Sequence, residues 1–190
     1  MKDSSLHVGI DISKYVYLFI YGTRSMHSPH PRPVEENDQH SPFGAQVKHY
    51  GNSAAVCFQS SLLNERVPTL NIEVAASVNH APRWHEKLNF QLSENELPLF
   101  CGLMLGYLPT LAVRRGTKGV ELTRQRRDGR NEPGLFVNAT SGREHQHRLL
   151  VPTGIMAKIG ALALSRFTQD LGVEASLAVP AIRAACALHN

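Results

Sequence analysis

The chain is poor in cysteine. Cys57, Cys101 and Cys186 are the only cysteines among its 190 residues, and no two of them form a Cys-x-x-Cys pair. An odd number of widely spaced cysteines argues against a disulfide framework and against a structural zinc site. The sequence therefore predicts small buried thiols, a reducing and hence intracellular compartment, and no bound metal.

Long hydrophobic runs are also scarce. The one candidate span, Leu97–Val113, has seventeen uncharged residues, but Pro98 and Pro109 bracket its helical part. About eleven helical residues extend roughly 16 Å, whereas a bilayer core requires about 30 Å. The N-terminal stretch lacks the character of a secretory signal because Asp11 and Lys14 interrupt it. We expect a buried helix here and no membrane partner.

Catalytic motifs are missing as well. The chain has no G-x-S-x-G sequence and no Walker spacing among its glycines, so we predict a protein that is not an enzyme and has no cofactor. One alternative stays open, since VGIDISK (Val8–Lys14) resembles the first strand of RNase-H-like nucleases, in which Asp11 would bind a metal. Such chemistry needs further carboxylates around two cations about 4 Å apart, and the next acids lie in a proline-rich segment.

Ten histidines are many for this length. His145 and His147 are two residues apart, which on a strand places both imidazoles on one face, where two further ligands would complete a metal site. The alternative is that this pair extends a basic surface and gains charge below about pH 6.5.

Positive charge is concentrated in one segment. Nine of the twenty Lys and Arg residues lie between Arg114 and Arg148 together with four acids, a net charge of about +5. Basic side chains on a sheet can neutralise phosphates and release counterions. Arginine supplies eight of the nine, and its planar fork suits phosphate oxygens. The basic residues predicted to bind are Arg114, Arg115, Lys118, Arg124, Arg126, Arg127, Arg130, Arg143 and Arg148.

Hydrophobic periodicity predicts the order of elements. Alternating apolar residues predict strands within 46–59, 70–76, 87–92, 111–124, 135–140 and 145–151. Longer apolar segments predict helices over 97–108, 155–171 and 177–188, the first of them preceded by a capping box of Ser93 and Glu96. Strand runs separated by single helices predict an α+β fold with antiparallel sheets, in which four strands and a helix occur twice before a short C-terminal helix.

This order divides the chain into four parts. We expect an N-terminal strand or hairpin over 1–23 and a flexible loop rich in proline and histidine over 24–44. The main domain would occupy 45–172, and a helical appendage 173–190.

Six stretches within 46–172 follow one another in a recognisable order: LNIEVAA, EKLNFQLS, SENELPLFCGLMLGYL, LAVRRGTKGVELTRQ, GLFVNAT and HRLLVPTGIMAKIGALALSRFTQDL. This order resembles the Whirly family and its relatives, the mitochondrial guide-RNA-binding proteins and the positive-cofactor-type coactivators. The lysine-rich KGKAAL-type motif of plant Whirly proteins is absent, so the resemblance is one of element order.

The resemblance implies single-stranded nucleic acid bound across sheet surfaces and loops, often by a tetramer packed through its helices. Single-strand binders add aromatic side chains on which bases stack, each worth about 1–3 kcal/mol. Phe136, which alternates with Leu135 and Val137, is the first candidate and Trp84 the second; a packing role is the alternative for both. Gly102 and Gly106, spaced as G-x-x-x-G, would allow close helix approach between subunits.

We therefore predict a homo-oligomer, such as a tetramer, that binds single-stranded nucleic acid with weak sequence preference, DNA being favoured over RNA. It would protect or present a strand or regulate transcription, in the cytoplasm or associated with the nucleoid. The alternative is a protein-interaction or assembly module whose arginines meet an acidic protein surface.

Overall fold

A computed structural model describes residues 44–126, 132–142 and 145–189. Its strands are β1 (Gln46–Tyr50), β2 (Ala54–Leu63), β3 (Val67–Val78), β4 (Ala81–Pro82), β5 (Leu88–Gln91), β6 (Thr110–Arg115), β7 (Lys118–Gln125), β8 (Gly134–Ser141) and β9 (His145–Pro152). Its helices are α1 (Glu96–Leu105), α2 (Thr153–Leu171) and α3 (Ala175–His189). The predicted α+β class is confirmed, with one helix after each set of strands and a further helix at the C-terminus.

The first sheet is built from hairpins. Its strands run in the order β1-β2-β3-β4, and β5 also pairs with β3. Strands β2 and β3 pair antiparallel from Ala54↔Ala76 to Leu63↔Val67, which places Phe58 opposite Ile72. These side chains and Phe90 of β5 are fully buried, because alternate residues of a strand face the same side of its sheet.

The second sheet is a simple meander. Strands β6, β7, β8 and β9 pair antiparallel in sequence order. Glycines occupy the turns after β6 and β8, and both take a left-handed backbone conformation: φ is +59° at Gly116 and +64° at Gly142. Glycine adopts this conformation without the steric cost that a Cβ atom imposes. The edge strands of the two sheets meet where His49 Nε2 lies 3.0 Å from the carbonyl oxygen of Leu150.

The helices join the two sheets through one core. Helix α1 buries Leu97, Phe100 and Leu103, and the Phe100 ring lies 5.8 Å from that of Phe58 in the first sheet. Helix α2 comes close to α1, since a Cβ atom at Gly160 would lie 3.3 Å from Met104 Cβ. Apolar residues of both sheets and of all three helices thus form a single cluster.

The C-terminal helix α3 belongs to this core. It contributes Ala178, Ile182 and Cys186, all buried. Cys186 lies against Gly102 of α1 so closely that a Cβ atom there would be 2.0 Å from Cys186 Sγ. Gly106 ends α1 in a left-handed conformation, with φ of +86°. Both glycines of this pair therefore have a role within the chain, and the predicted contact between subunits stays a prediction.

The predicted segment 1–23 and, except for Gly44, the predicted loop 24–44 lie outside the described residues. So does Asp11, and the nuclease alternative that depends on it stays untested.

Candidate nucleic-acid interface

The side of the second sheet that points away from the core carries mainly polar residues. We call this side the outer face; it consists of Thr110, Ala112, Arg114, Glu121, Thr123, Phe136, Asn138, Thr140, Gln146, Arg148 and Leu150. None of these residues is buried, whereas their neighbours Leu111, Val113, Leu122 and Val137 are. The alternation shows that the helices cover this sheet on one side, and that the outer face is open.

Phe136 lies on β8, one of the two central strands of the outer face. It pairs with Thr123 on β7 and with Leu150 on β9. Its neighbours Leu135 and Val137 are fully buried, while Phe136 itself is half-buried. The predicted orientation of Phe136, opposite to both neighbours, is confirmed, and its ring is accessible from solvent.

Arg114 and Arg148 occupy the two edge strands of this face. Both are exposed, and Arg148 pairs with Asn138 on β8. The Gln146 side-chain amide donates a hydrogen bond of 2.8 Å to Asn138 Oδ1. A shallow groove of about 230 Å³ is lined by Ala112, Val113, Arg114, Gly119, Val120, Glu121, Asn138 and Thr140. The face thus carries two cations on its opposite edge strands, one acid, several hydrogen-bonding groups and one aromatic ring.

Arg115, although next in sequence to Arg114, is held by α1. Its guanidinium donates 3.0 Å from Nη1 to Glu96 Oε1, and Nη2 donates to Glu96 Oε2 and, at 2.8 Å, to the carbonyl oxygen of Gln91. Burial alone would raise the pKa of Glu96, but hydrogen bonds from Arg115 and Ser93 outweigh it and hold that pKa below its ordinary value. The same hydrogen bond raises the pKa of Arg115. Arg115 therefore fixes β6 to the start of α1.

Arg124 caps the other end of α1. Its Nη1 donates hydrogen bonds of 3.0 Å to the carbonyl oxygen of Met104 and 3.4 Å to that of Leu103. The last carbonyls of a helix lack intrahelical partners and carry partial negative charge, so a cation there is stabilising. Gly106 makes room for this contact, since a Cβ atom at Gly106 would lie 2.5 Å from Arg124 Nη1.

Lys118 and Arg126 are exposed near opposite ends of β7. Seven residue steps separate the two ends of this strand, which corresponds to roughly 23 Å. Arg126 also borders a depression that includes Tyr107 and Pro109. The basic segment is therefore spread along the sheet. Arg127, Arg130 and Arg143 lie outside the described residues.

A second aromatic group lies on the first sheet. The rings of Tyr50 and Trp84 meet edge to face, with centroids 6.5 Å apart and planes at 81°. Lys48 Nζ lies 5.9 Å from the centroid of the Trp84 ring. Trp84 was a candidate from the sequence, but its partners were not predicted. The available signal was the i,i+2 spacing of Lys48 and Tyr50, which places both on one side of β1.

The described structure is similar to a solved one. The plant transcriptional regulator PBF-2, a Whirly protein, matches with a TM-score of 0.50 and 14% sequence identity, over 67% of this chain and 82% of that one. The fold is Whirly-like. No family model and no curated protein matches the chain. At this identity the likeness concerns the fold alone, so the candidate interface rests on the side chains of this chain.

The three cysteines of this Whirly-like fold share a buried environment. All three are buried and free, as the sequence predicted. Burial raises the pKa of Cys57 to about 11 and that of Cys101 to about 12. Because the thiolate is the nucleophile and the metal ligand, the raised pKa favours the protonated thiol at Cys57 and Cys101 near neutral pH.

Potential metal ligands are scattered in the described chain. Over 44–126, 132–142 and 145–189 no group of three or more His, Cys, Asp or Glu residues is placed to hold a metal ion. The side chain of His145 is outside the described part, so its predicted pairing with His147 is untested.

Within the described ranges no single helix is long and apolar enough to span a membrane. Helices α2 and α3 reach that length and composition only as a pair, bent by 98° at the break between them.

Proposed function

We propose that this protein binds single-stranded nucleic acid across the outer face of the second sheet, with DNA preferred over RNA and with weak sequence preference. The observation that carries the proposal is an open strand face on which Phe136 lies diagonally beside Arg148, while Arg114 lies on the opposite edge strand of the same face. The ring offers a base a stacking surface, and the arginines offer phosphates their charge.

An unpaired strand fits this face better than a duplex does. The bases of a duplex stack on one another, whereas those of a single strand can turn outward onto an aromatic ring. Stacking tolerates any base because every base has a π-face, which is why we propose weak sequence preference. Of the ten residues predicted from sequence, Arg114, Lys118, Arg126, Phe136 and Arg148 are exposed or half-buried and free of the helix contacts that hold Arg115 and Arg124.

The biological role is proposed from the solved structure that this chain resembles. PBF-2 is described as a transcriptional regulator, and we extend that role to this chain as a proposal: it protects or presents an unpaired strand, or regulates transcription. No chemical step is involved.

The proposal is tested by removing the two outer-face arginines together. We expect Arg114→Ala with Arg148→Ala to weaken binding of a labelled single-stranded DNA in fluorescence anisotropy. The salt dependence should also become shallower, by about 0.7 in slope for each phosphate that the variant no longer neutralises. Arg124 is left intact because its loss would disturb α1. A matched control removes two exposed cations from the helices, Lys158→Ala with Arg183→Ala, and should bind like the wild type.

Two outcomes would contradict the proposal. If both double variants bind like the wild type, the outer face is not the interface. If the wild type binds no single strand below tens of micromolar near 100 mM salt, the outer-face arginines do not form a nucleic-acid interface. An acidic protein surface is then the alternative partner.

A further inference from the structure

Tyr50, Trp84 and Lys48 form a compact group on the first sheet, which we call the aromatic cluster. Tyr50 and Lys48 belong to the edge strand β1, where they pair with Ala55 and Cys57 of β2. On β2 these two residues alternate with Val56 and Phe58, which face the core. Tyr50 and Lys48 therefore lie on the side of the sheet opposite to Val56 and Phe58. Trp84 begins a 3-10 turn between β4 and β5.

The chain holds Trp84 in place through its backbone. The Arg83 N–H donates a hydrogen bond of 2.8 Å to the carbonyl oxygen of Ala76 on β3, and the Glu86 N–H donates one of 3.0 Å to the carbonyl oxygen of Arg83. Strand β4 adds its pairing with the end of β3. The half-buried indole is therefore positioned before any ligand arrives, which lowers the entropy cost of binding.

Tyr50 is exposed in a way that packing does not explain. Tyr50 is 55% exposed, and it is the one aromatic among the large exposed apolar residues of the described chain. Tyr50 meets Trp84 edge to face and not in a parallel stack, and with more than half of the residue exposed, its ring can accept a stacked base. An exposed, pre-positioned aromatic ring beside a lysine is the combination that single-strand binders use.

Among the charged residues around the aromatic cluster, Lys48 is the one placed to bind a phosphate. Lys87 is paired with Glu73 at 2.7 Å, and Arg83 with Glu86 at 3.7 Å. Lys48, by contrast, extends its ammonium over the indole ring and is exposed. A lysine on a flexible stem can keep such a contact or turn to a phosphate oxygen.

We propose that the aromatic cluster is a base-stacking site for single-stranded DNA: one unpaired base stacks on the ring of Tyr50, against Trp84, and Lys48 binds the adjoining phosphate. This inference rests on the proposed function and adds a contact on the first sheet, separate from the outer face of the second. Duplex DNA would not occupy the site because its bases are already stacked.

Trp84 provides its own reporter, since it is the only tryptophan in the chain. The full-length protein is titrated with oligodeoxythymidylate, and tryptophan emission and the anisotropy of a labelled copy are followed in parallel. We expect emission to change and to saturate at the same DNA concentration as anisotropy. Tyr50→Ala and Trp84→Leu should each weaken binding about ten- to a hundredfold with little change in salt slope. Lys48→Gln should weaken it and reduce the slope by about one phosphate contact.

Two controls separate stacking from folding. Trp84→Phe keeps an aromatic ring and should retain most of the affinity, whereas Leu62→Ala removes another exposed apolar side chain of the same sheet and should have no effect. Tyr50→Ala is the decisive variant because an exposed ring contributes little to the core, and circular dichroism verifies its fold.

The outcomes distinguish this inference from the proposed function. Binding seen by anisotropy, with unchanged tryptophan emission and wild-type affinity for Tyr50→Ala, overturns the stacking site and leaves the function standing. Absence of any binding to single-stranded DNA overturns both.

Discussion

At the scale of single residues, the Glu96 carboxylate has two partners, Ser93 and Arg115. It accepts hydrogen bonds of 2.8 Å from the Ser93 backbone N–H and 3.0 Å from the Ser93 hydroxyl, and it also pairs with Arg115. Only half of the predicted capping box forms: Glu96 accepts from the Ser93 N–H, but the Ser93 hydroxyl donates to the same carboxylate, and the N-cap residue Asn95 makes no side-chain capping hydrogen bond. Negative charge in the first turn also suits the helix dipole. One side chain thus joins the start of α1, the preceding segment and β6.

This arrangement predicts a pH-dependent stability. Because the pKa of Glu96 is lower in the folded protein than its ordinary value of 4.5, its stabilisation is complete above pH 4.5 and is lost as the pH falls through the folded-state pKa. We expect Glu96→Gln to lower the free energy of unfolding by about 1 kcal/mol at pH 7, measured by urea denaturation, and by much less near pH 3.

A neighbouring acid serves as the control. Glu94 is exposed in the same segment, and Glu94→Gln removes the same charge without removing the contacts of Arg115. An equal loss of stability in both variants at pH 7 would show that net charge, and not the Glu96 contacts, is responsible.

At the scale of elements, the close contact between α1 and α3 requires glycine, which has no side chain, at position 102. Gly102 lets Cys186 Sγ come within 2.0 Å of where a Cβ atom would lie, so Gly102→Ala forces the two helices apart. Overpacking of this kind costs about 1–3 kcal/mol, against which the better helix propensity of alanine returns up to about 1 kcal/mol. We expect a net loss of stability in urea denaturation.

The matching second change is Cys186→Ala, which removes the clashing sulfur. The double variant should be more stable than Gly102→Ala alone, giving a coupling energy of at least about 0.5 kcal/mol. Additive effects of the two substitutions would mean that α3 does not pack on Gly102.

The elements also show what sequence can and cannot foretell. Alternating residues such as Leu70, Ile72 and Val74 predicted β3 because burial on one side of a sheet imposes a period of two. Helix α1 was predicted to continue to Leu108, yet it ends at Leu105, since Gly106 takes a left-handed conformation and Arg124 caps the preceding carbonyls.

For the candidate site, the sequence does not predict contacts between residues that are far apart in the chain. Nothing in the spacing of nine basic residues indicates that Arg115 meets Glu96, nineteen positions earlier, or that Arg124 meets Met104. Phe136 was predictable because its orientation depends on local alternation. The meeting of Tyr50 with Trp84 was not, because it depends on how β1 and the 3-10 turn are brought together.

At the scale of the whole molecule, self-association stays a prediction. Gly102 and Gly106 are used within the chain, but exposed leucines remain on the helices, including Leu177 at 67% and Leu188 at 90% exposure. We expect sedimentation velocity at tens of micromolar to show an oligomer, and Leu177→Glu with Leu188→Glu to shift it towards monomer. A wild type that sediments as a monomer would remove this prediction.

Binding to an unpaired strand is the central claim, and one measurement tests it most directly. The wild-type protein is titrated with a labelled single-stranded DNA and with the duplex of the same sequence, at salt concentrations from about 50 to 300 mM. We predict tighter binding of the single strand at every salt concentration, with a linear fall of log affinity against log salt. Equal affinity for strand and duplex, or no binding of either, would contradict it.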